Sequence, residues 1–241
     1  PSPDPNPNPD PNLNSHQDAF LLGLNAHNGA IEVLSFAPGS GARGGLIAFG
    51  SHDRTVRVLE LVQEGAKLKA VPRCSCSGHT ATVTHIVWSA DGTQLMSNCA
   101  AHEILVWVMP SGKRLAQPAR AVATVAWASW TCRLGFPCMG IWPEGTNTTQ
   151  INSCHIAGDG SLLLTADDAG ALKLFNAPCV VEGAPYVSAT AHSVGVTCAR
   201  FLHGDRLAVS SGGFDRSIML WRVTGTGKRA PRAGVAALPD Q

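Results

Sequence analysis

The stretch AHSVGVTCARFLHGDRLAVSSGGFDRSIMLWRV, residues 191–223, holds three runs of alternating apolar and polar residues separated by two turns rich in Gly and Asp. An alternation of period two is the mark of a half-buried β-strand, and His-Gly-Asp and Gly-Gly-Phe-Asp are turn signals. Three further stretches read the same way, at residues 26–61, 78–109 and 151–175. The third run of each stretch closes on a bulky residue: Leu59, Trp107, Phe175 and Trp221. These residues lie 48, 68 and 46 positions apart, so the middle interval carries an insertion, near residues 120–150. Histidines keep the register, with His27, His79 and His192 preceding Leu59, Trp107 and Trp221 by 32, 28 and 29 residues.

A repeat of about 40–45 residues built from short strands is the period of WD40 units, each of which folds as a four-stranded propeller blade. The expected fold is therefore all-β, a WD40-type β-propeller with about four recognisable blades. Four blades are few for such a ring, so a partial, truncated propeller is expected. In WD40 blades a loop His, a turn Asp, a strand Ser and a Trp bond to one another, so that no polar group is buried unpaired. The fourth repeat supplies His192, Asp215, Ser210 or Ser211, and Trp221. The first offers His27, Ser51 and Asp53 with Leu59 in place of Trp; the second keeps His79 and Trp107 but has Ala101 at the turn. In the third, Ala169 takes the turn position beside Asp167 and Asp168. The Ser/His/Asp set reads as structural, because it recurs in part along the chain and no G-x-S-x-G elbow presents a serine. A G-x-G-x-x-G match at Gly39, Gly41 and Gly44 falls in a loop between strands, with no helix to receive a phosphate.

Composition agrees. Of 241 residues 44% are hydrophobic and 15% charged, with 25 Gly and 16 Pro, which suits many short strands. A net charge of +1, from 18 basic and 17 acidic residues, argues against nucleic-acid binding carried by overall charge. No run of 18 apolar residues spans a membrane, and the first twelve residues, PSPDPNPNPDPN, lack the features of a signal peptide. The chain does not begin with Met and reads as a fragment. Eight cysteines are scattered without any C-x-x-C pair, which points to free thiols in a reducing cytosol rather than a disulfide framework or a zinc site. No cofactor is expected.

Residues 1–17 read as a disordered Pro/Asn-rich linker or recognition peptide, 18–223 as the propeller, and 224–241 as a disordered tail. The tail shows no alternating strand, so the fourth blade is expected to lack its own outer strand. The early stretch DAFLLGL, 18–24, is either a closing strand or the outer strand of a truncated blade. An open arc of this kind exposes strand edges and apolar faces, and poor solubility in isolation follows.

The insertion packs Trp127, Trp130 and Trp142 into 16 residues, followed by Pro143, Glu144 and Gly145. Such aromatic density is either extra core or a partner surface. The run GFPCMGIWPEG (135–145), the preceding Trp-Thr-Cys (130–132), TADDAGALKLF (165–175), FGSHDRTVRV (49–58) and GGFDRSIMLWRV (212–223) closely resemble the echinoderm microtubule-associated protein-like family over roughly residues 19–223. The resemblance implies the C-terminal part of the second of two joined propellers, and tubulin or microtubules as partner. The family's N-terminal coiled coil, linked to oligomerisation and lattice attachment, has no counterpart in these residues.

The resulting expectation is a non-enzymatic cytoplasmic, cytoskeletal scaffold that binds tubulin and contributes to microtubule organisation, with no nucleic-acid or membrane partner. The alternative is a general protein-interaction scaffold with another partner. An enzyme is the weakest reading, since no clustered carboxylates, metal ligands or phosphate loop are present. Residues 130–150 are expected to help form one face, with Trp142 and Glu144 at a packed turn. In the tail, Lys228, Arg229 and Arg232 either contact the acidic surface of tubulin or are simply solvated.

Overall fold

A computed structural model describes residues 26–39, 44–65, 67–142, 150–190, 192–224 and 235–237. The stretch 18–24, Gly41, Pro143, Glu144, Gly145, Lys228, Arg229 and Arg232 lie outside the described residues.

Among the described residues, sixteen strands form four antiparallel sheets, each a simple meander. The first blade is β1 (Ile31–Phe36), β2 (Gly44–Ser51), β3 (Thr55–Glu64) and β4 (Lys67–Ser77). The second is β5 (Val83–Trp88), β6 (Gln94–Cys99), β7 (Ile104–Val108) and β8 (Lys113–Arg114). The third is β9 (Ile151–Ile156), β10 (Leu162–Asp167), β11 (Ala171–Asn176) and β12 (Tyr186–Thr190). The fourth is β13 (Val196–Phe201), β14 (Leu207–Gly212), β15 (Ile218–Val223) and β16 (Val235–Ala237). The expectation that residues 224–241 carry no strand does not hold, because β16 pairs with Trp221–Val223 and completes the fourth blade. Its bonds are main-chain bonds over only three residues, Val-Ala-Ala, too short a run for an apolar/polar alternation to register.

The repeat is visible in the backbone as well as in the residues. Each pairing of the first two strands breaks register at its start, between Ile31/Val33, Val83/His85, Ala166/Asp167 and Val196/Cys198. Each turn between the second and third strands then places one residue in the left-handed region: Arg54, His102, Gly170 and Arg216, at φ of 68°, 62°, 79° and 55°. Three of these four are not glycine, so the surrounding network must hold a backbone that side chains disfavour. In the first blade the outer strand carries Pro72 opposite Leu59, beside a register shift. Proline is tolerated there because an edge strand need not donate that hydrogen bond.

The blades pack face to face. Ala48, Val56 and Val58 of the first meet Ile86, Trp88, Leu95 and Trp107 of the second. Leu164, Leu172 and Leu174 of the third meet Ala199, Phe201, Ala208 and Trp221 of the fourth. The insertion fills the gap between the second and third blades. It holds a short helix α1 (Pro118–Thr124), begun by Pro at its first turn, and a 3₁₀ segment at Phe136–Ile141. Trp130, Cys132, Cys138 and Ile141 are buried there between Val87 and Met96 on one side and Leu163 and Phe175 on the other. Main-chain bonds lace it to both neighbours: Ala128 N–H to Trp88 O at 2.9 Å, Ile156 N–H to Trp130 O at 3.1 Å, and Gly140 N–H to Cys179 O at 2.8 Å. A Cβ at Gly140 would collide with the Val181 backbone, so only glycine permits this approach. Of the two readings of the aromatic cluster, core is correct for Trp130, while Trp127 and Trp142 are half-buried.

At the ends of the arc, apolar side chains face outward. Leu34 and Phe36 of the first blade and Phe214 and Ile218 of the fourth are among the most exposed large apolar residues described.

Candidate functional site

The polar network of each blade decides whether its Ser/His/Asp set is chemistry or scaffold. In the fourth blade Asp215 Oδ2 lies 2.7 Å from His192 Nδ1, and Ser210 Oγ lies 2.7 Å from His192 Nε2. The Trp221 indole N–H donates to the same Ser210 Oγ at 2.8 Å. With the carboxylate accepting from Nδ1–H, Nε2 accepts the serine O–H hydrogen bond and every polar atom of the network is satisfied. Ser211 instead pairs with Thr197 at 3.0 Å, so Ser210 is the network serine. Ser210 is 1% exposed and holds the indole as well, which leaves its oxygen no approach to a substrate.

The second blade repeats the arrangement with a substitution that the residue pattern hides. Trp107 Nε1–H donates to Ser97 Oγ at 2.9 Å, and Ser97 Oγ lies 2.7 Å from His79 Nε2. Ala101 does occupy the turn position, just before the left-handed His102. The acid comes instead from Glu103, two residues later, with Oε2 3.4 Å from His79 Nδ1. The Thr80 N–H donates to Glu103 at 2.9 Å and the Thr80 hydroxyl at 3.0 Å. These bonds, the Thr80 backbone foremost, bring the Glu103 carboxyl down to about 2.

The first blade corrects one assignment. Ser51 is not the counterpart of Ser210: it faces Ile31 at the end of its strand, as Gly212 faces Val196, whereas Ser210 faces Ala199 as Phe49 faces Leu34. Phe49 therefore stands at the serine position. With Leu59 replacing Trp there is no indole N–H to receive, so no hydroxyl is required. Ser51 Oγ accepts the Asp53 N–H at 3.1 Å. Asp53 bonds His27 Nδ1 at 3.0 Å and accepts from Thr55 Oγ1 at 2.6 Å. Burial raises the Asp53 carboxyl, but bonds from Thr55, His27 and Asn28 outweigh it and hold the group well below its usual range. The buried His27 Nε2 has no partner among the described residues. In the third blade Asp167 replaces the missing turn acid. Its Oδ1 accepts the N–H groups of Ala169 and Ala171 at 3.0 Å each, and Lys173 Nζ pairs with its Oδ2 at 3.0 Å.

Ser97 and Glu103 escaped the sequence reading, although one signal was present. His and Ser are 18 residues apart in both intact blades, so counting from His79 reaches Ser97.

Two surface depressions flank the insertion, at opposite ends of the strands. One is an apolar groove of about 540 Å³ between α1, the turn at His102 and the 3₁₀ segment. Phe136 and Met139 are 47% and 59% exposed at its rim. Trp142 borders it, half-buried, with its N–H donated to Arg133 O at 3.2 Å and its ring edge-on to His102 at 6.1 Å. The other is a cleft of about 670 Å³ between Trp127–Trp130 and the turns at Gly158 and Asp205. Trp142→Ala is expected to lower stability by about 2 kcal/mol, less than the ~3–5 kcal/mol of a fully buried indole. Denaturant melting checks this, and an unchanged midpoint would mean that the ring adds no packing.

Residues 13–223 match the family described as "Echinoderm microtubule-associated protein second beta-propeller". The chain is 40% identical over 196 residues to "Echinoderm microtubule-associated protein-like 2" of Mus musculus, covering 81% of this chain and 29% of that protein. It is 38% identical over 180 residues to "Echinoderm microtubule-associated protein-like 4" of Xenopus tropicalis, covering 75% and 19%. The chain thus spans less than a third of the length of these relatives. Among solved structures, the β-propeller domain of Cps50 (Swd1) from Myceliophteria thermophila superposes with a TM-score of 0.60 at 16% identity, covering 88% of this chain and 72% of that one, a likeness of fold alone. With blade networks, insertion and these matches in agreement, the chain belongs to the echinoderm microtubule-associated protein-like family, within its second β-propeller.

Proposed function

We propose that this chain is a non-enzymatic scaffold that binds tubulin in the cytoplasm and contributes to microtubule organisation, with the groove beside Trp142 as the contact surface. The observation that supports it most is the pair Phe136 and Met139, large apolar side chains held outward on a segment that is otherwise core. Exposed apolar chains around a preformed groove are the usual anchors of a protein contact. The microtubule association in the relatives' names supports tubulin as the partner. The buried, doubly bonded Ser210 supports the absence of catalysis. Lys228, Arg229 and Arg232 add a basic segment suited to an acidic protein surface.

A pull-down of purified tubulin, with an unrelated propeller as control, tests this. The chain should retain tubulin, the control should not, and Phe136→Asp should weaken retention at least about tenfold. Retention by the control, or an unweakened variant, would remove the groove from this role. A partner other than tubulin is the second reading, because one propeller surface can serve many partners.

A further inference from the structure

Among the described residues, His79, Cys99 and Glu103 are the one group of three metal-ligating side chains whose donor atoms converge, all within 4.8 Å of one another. Glu103 Oε2 lies 3.4 Å from His79 Nδ1 and 3.1 Å from Cys99 Sγ. A tetrahedral zinc ion, with bonds of about 2.0–2.3 Å to nitrogen, oxygen and sulfur, holds its donors roughly 3.3–3.7 Å apart, which the His79–Glu103 pair already meets and the Cys99–Glu103 pair reaches by opening a few tenths of an ångström. We propose that these three side chains form a binding site for a thiophilic divalent cation of the zinc class, with water in the fourth position on the open side, where Glu103 is 31% exposed.

The supporting shell is in place. Ser97 Oγ sits 2.7 Å from His79 Nε2, ready to fix the orientation of the ring, and Thr80 aims the Glu103 carboxylate through its backbone and hydroxyl. The site is particular to this blade. The residue matching Cys99 is Ser51 in the first blade and Gly212 in the fourth, where a His–carboxylate pair lacks a third, soft donor.

The protons balance. In the metal-free network the imidazole proton sits on Nδ1, facing Glu103. On binding it occupies Nε2 and is donated to Ser97 Oγ, which already accepts the Trp107 N–H and turns its own proton away from Nε2, leaving the Nδ1 lone pair for the ion. A cysteine thiol ordinarily titrates at about 8.5, so Cys99 carries its proton at neutral pH. The ion replaces that proton, which leaves to solvent. Each ion bound releases one proton.

Titration of the folded chain with Co²⁺, a coloured stand-in for zinc, tests the site. One equivalent should bind with tetrahedral visible bands and a sulfur-to-cobalt charge-transfer band, and Zn²⁺ should displace it. Calorimetry in two buffers should find about one proton released per ion. Cys99→Ser should abolish the charge-transfer band, Glu103→Gln should weaken affinity at least about tenfold, and Cys74→Ser should change neither. If Cys99→Ser fails to fold, Cys99→Ala serves in its place. Absence of the band in the folded wild-type chain, or its persistence without the Cys99 thiol, would overturn the proposal.

Discussion

Replacing Trp130 with alanine should destabilise the chain by about 3–5 kcal/mol, among the largest single effects in the molecule. The indole is 4% exposed and lies in the cluster that joins the second blade, the insertion and the third blade. Its ring is edge-on to Trp127 at 6.3 Å, and a Cβ at Gly135 would run into it. The Trp130 carbonyl also receives the Ile156 N–H, so the residue ties the insertion to β9 through backbone as well as side chain. Removing it opens a cavity at the only described junction where the blades meet through an intermediary. Trp130→Phe should cost far less, because the indole N–H is buried without a hydrogen-bond partner and its loss relieves that cost. Equilibrium denaturation of both variants checks the pair. A cost under about 1 kcal/mol for the alanine variant would mean that the insertion is not part of the core.

Acid should weaken the fold well above the pH at which its carboxylates titrate. Burial first, then the charges of Arg133 and Arg200, bring His85 down from 6.5 to about 3. Burial and Arg200 bring His155 down to about 4, against a smaller opposing pull from Asp205. Both are neutral in the folded chain, whereas in the unfolded chain they take up protons near 6.5. The unfolded state therefore binds more protons below that pH. The stability they provide is complete above 6.5 and declines as pH falls toward the folded values. Each unit is worth about 1.4 kcal/mol, so the two together remove several kcal/mol by pH 4, a large part of a domain's ordinary stability. Glu103 acts in a lower window, from 4.5 to about 2, and adds to the loss only there. Melting temperature measured from pH 7 to pH 4 should fall steadily, and His155→Gln should flatten the fall. A flat profile across that range would show that these imidazoles are not buried as described.

Much of this fold was legible because its period is carried by residues with strong local physics. Trp107 and Trp221 close their strands at matched spacing, and His79 and His192 enter their blades at matched distances from them. The same economy misled at Ser51, where a serine of the right type sits two residues past the position whose pairing defines the network. Only strand register separates the two, and register is set by the bulge between Ile31 and Val33, which no side chain announces. Glu103 was hidden for a related reason. A longer acid displaced by two residues reaches the histidine that a shorter one at Ala101 would have reached, and a pattern tied to position does not see reach. The outer strands were the least legible elements. The eighth, Lys113–Arg114, has two charged residues, and the sixteenth only Val-Ala-Ala, so both are held by main-chain pairing that leaves no trace in hydropathy.

The most direct test of the scaffold reading is co-sedimentation and size-exclusion of the folded chain with purified tubulin, both as microtubules and as soluble dimers. Co-elution with dimers, together with weak pelleting on microtubules, is the expected result and would assign a contact surface to these four blades alone. Free elution of a demonstrably folded chain in both experiments would contradict it and remove the tubulin contact from these four blades.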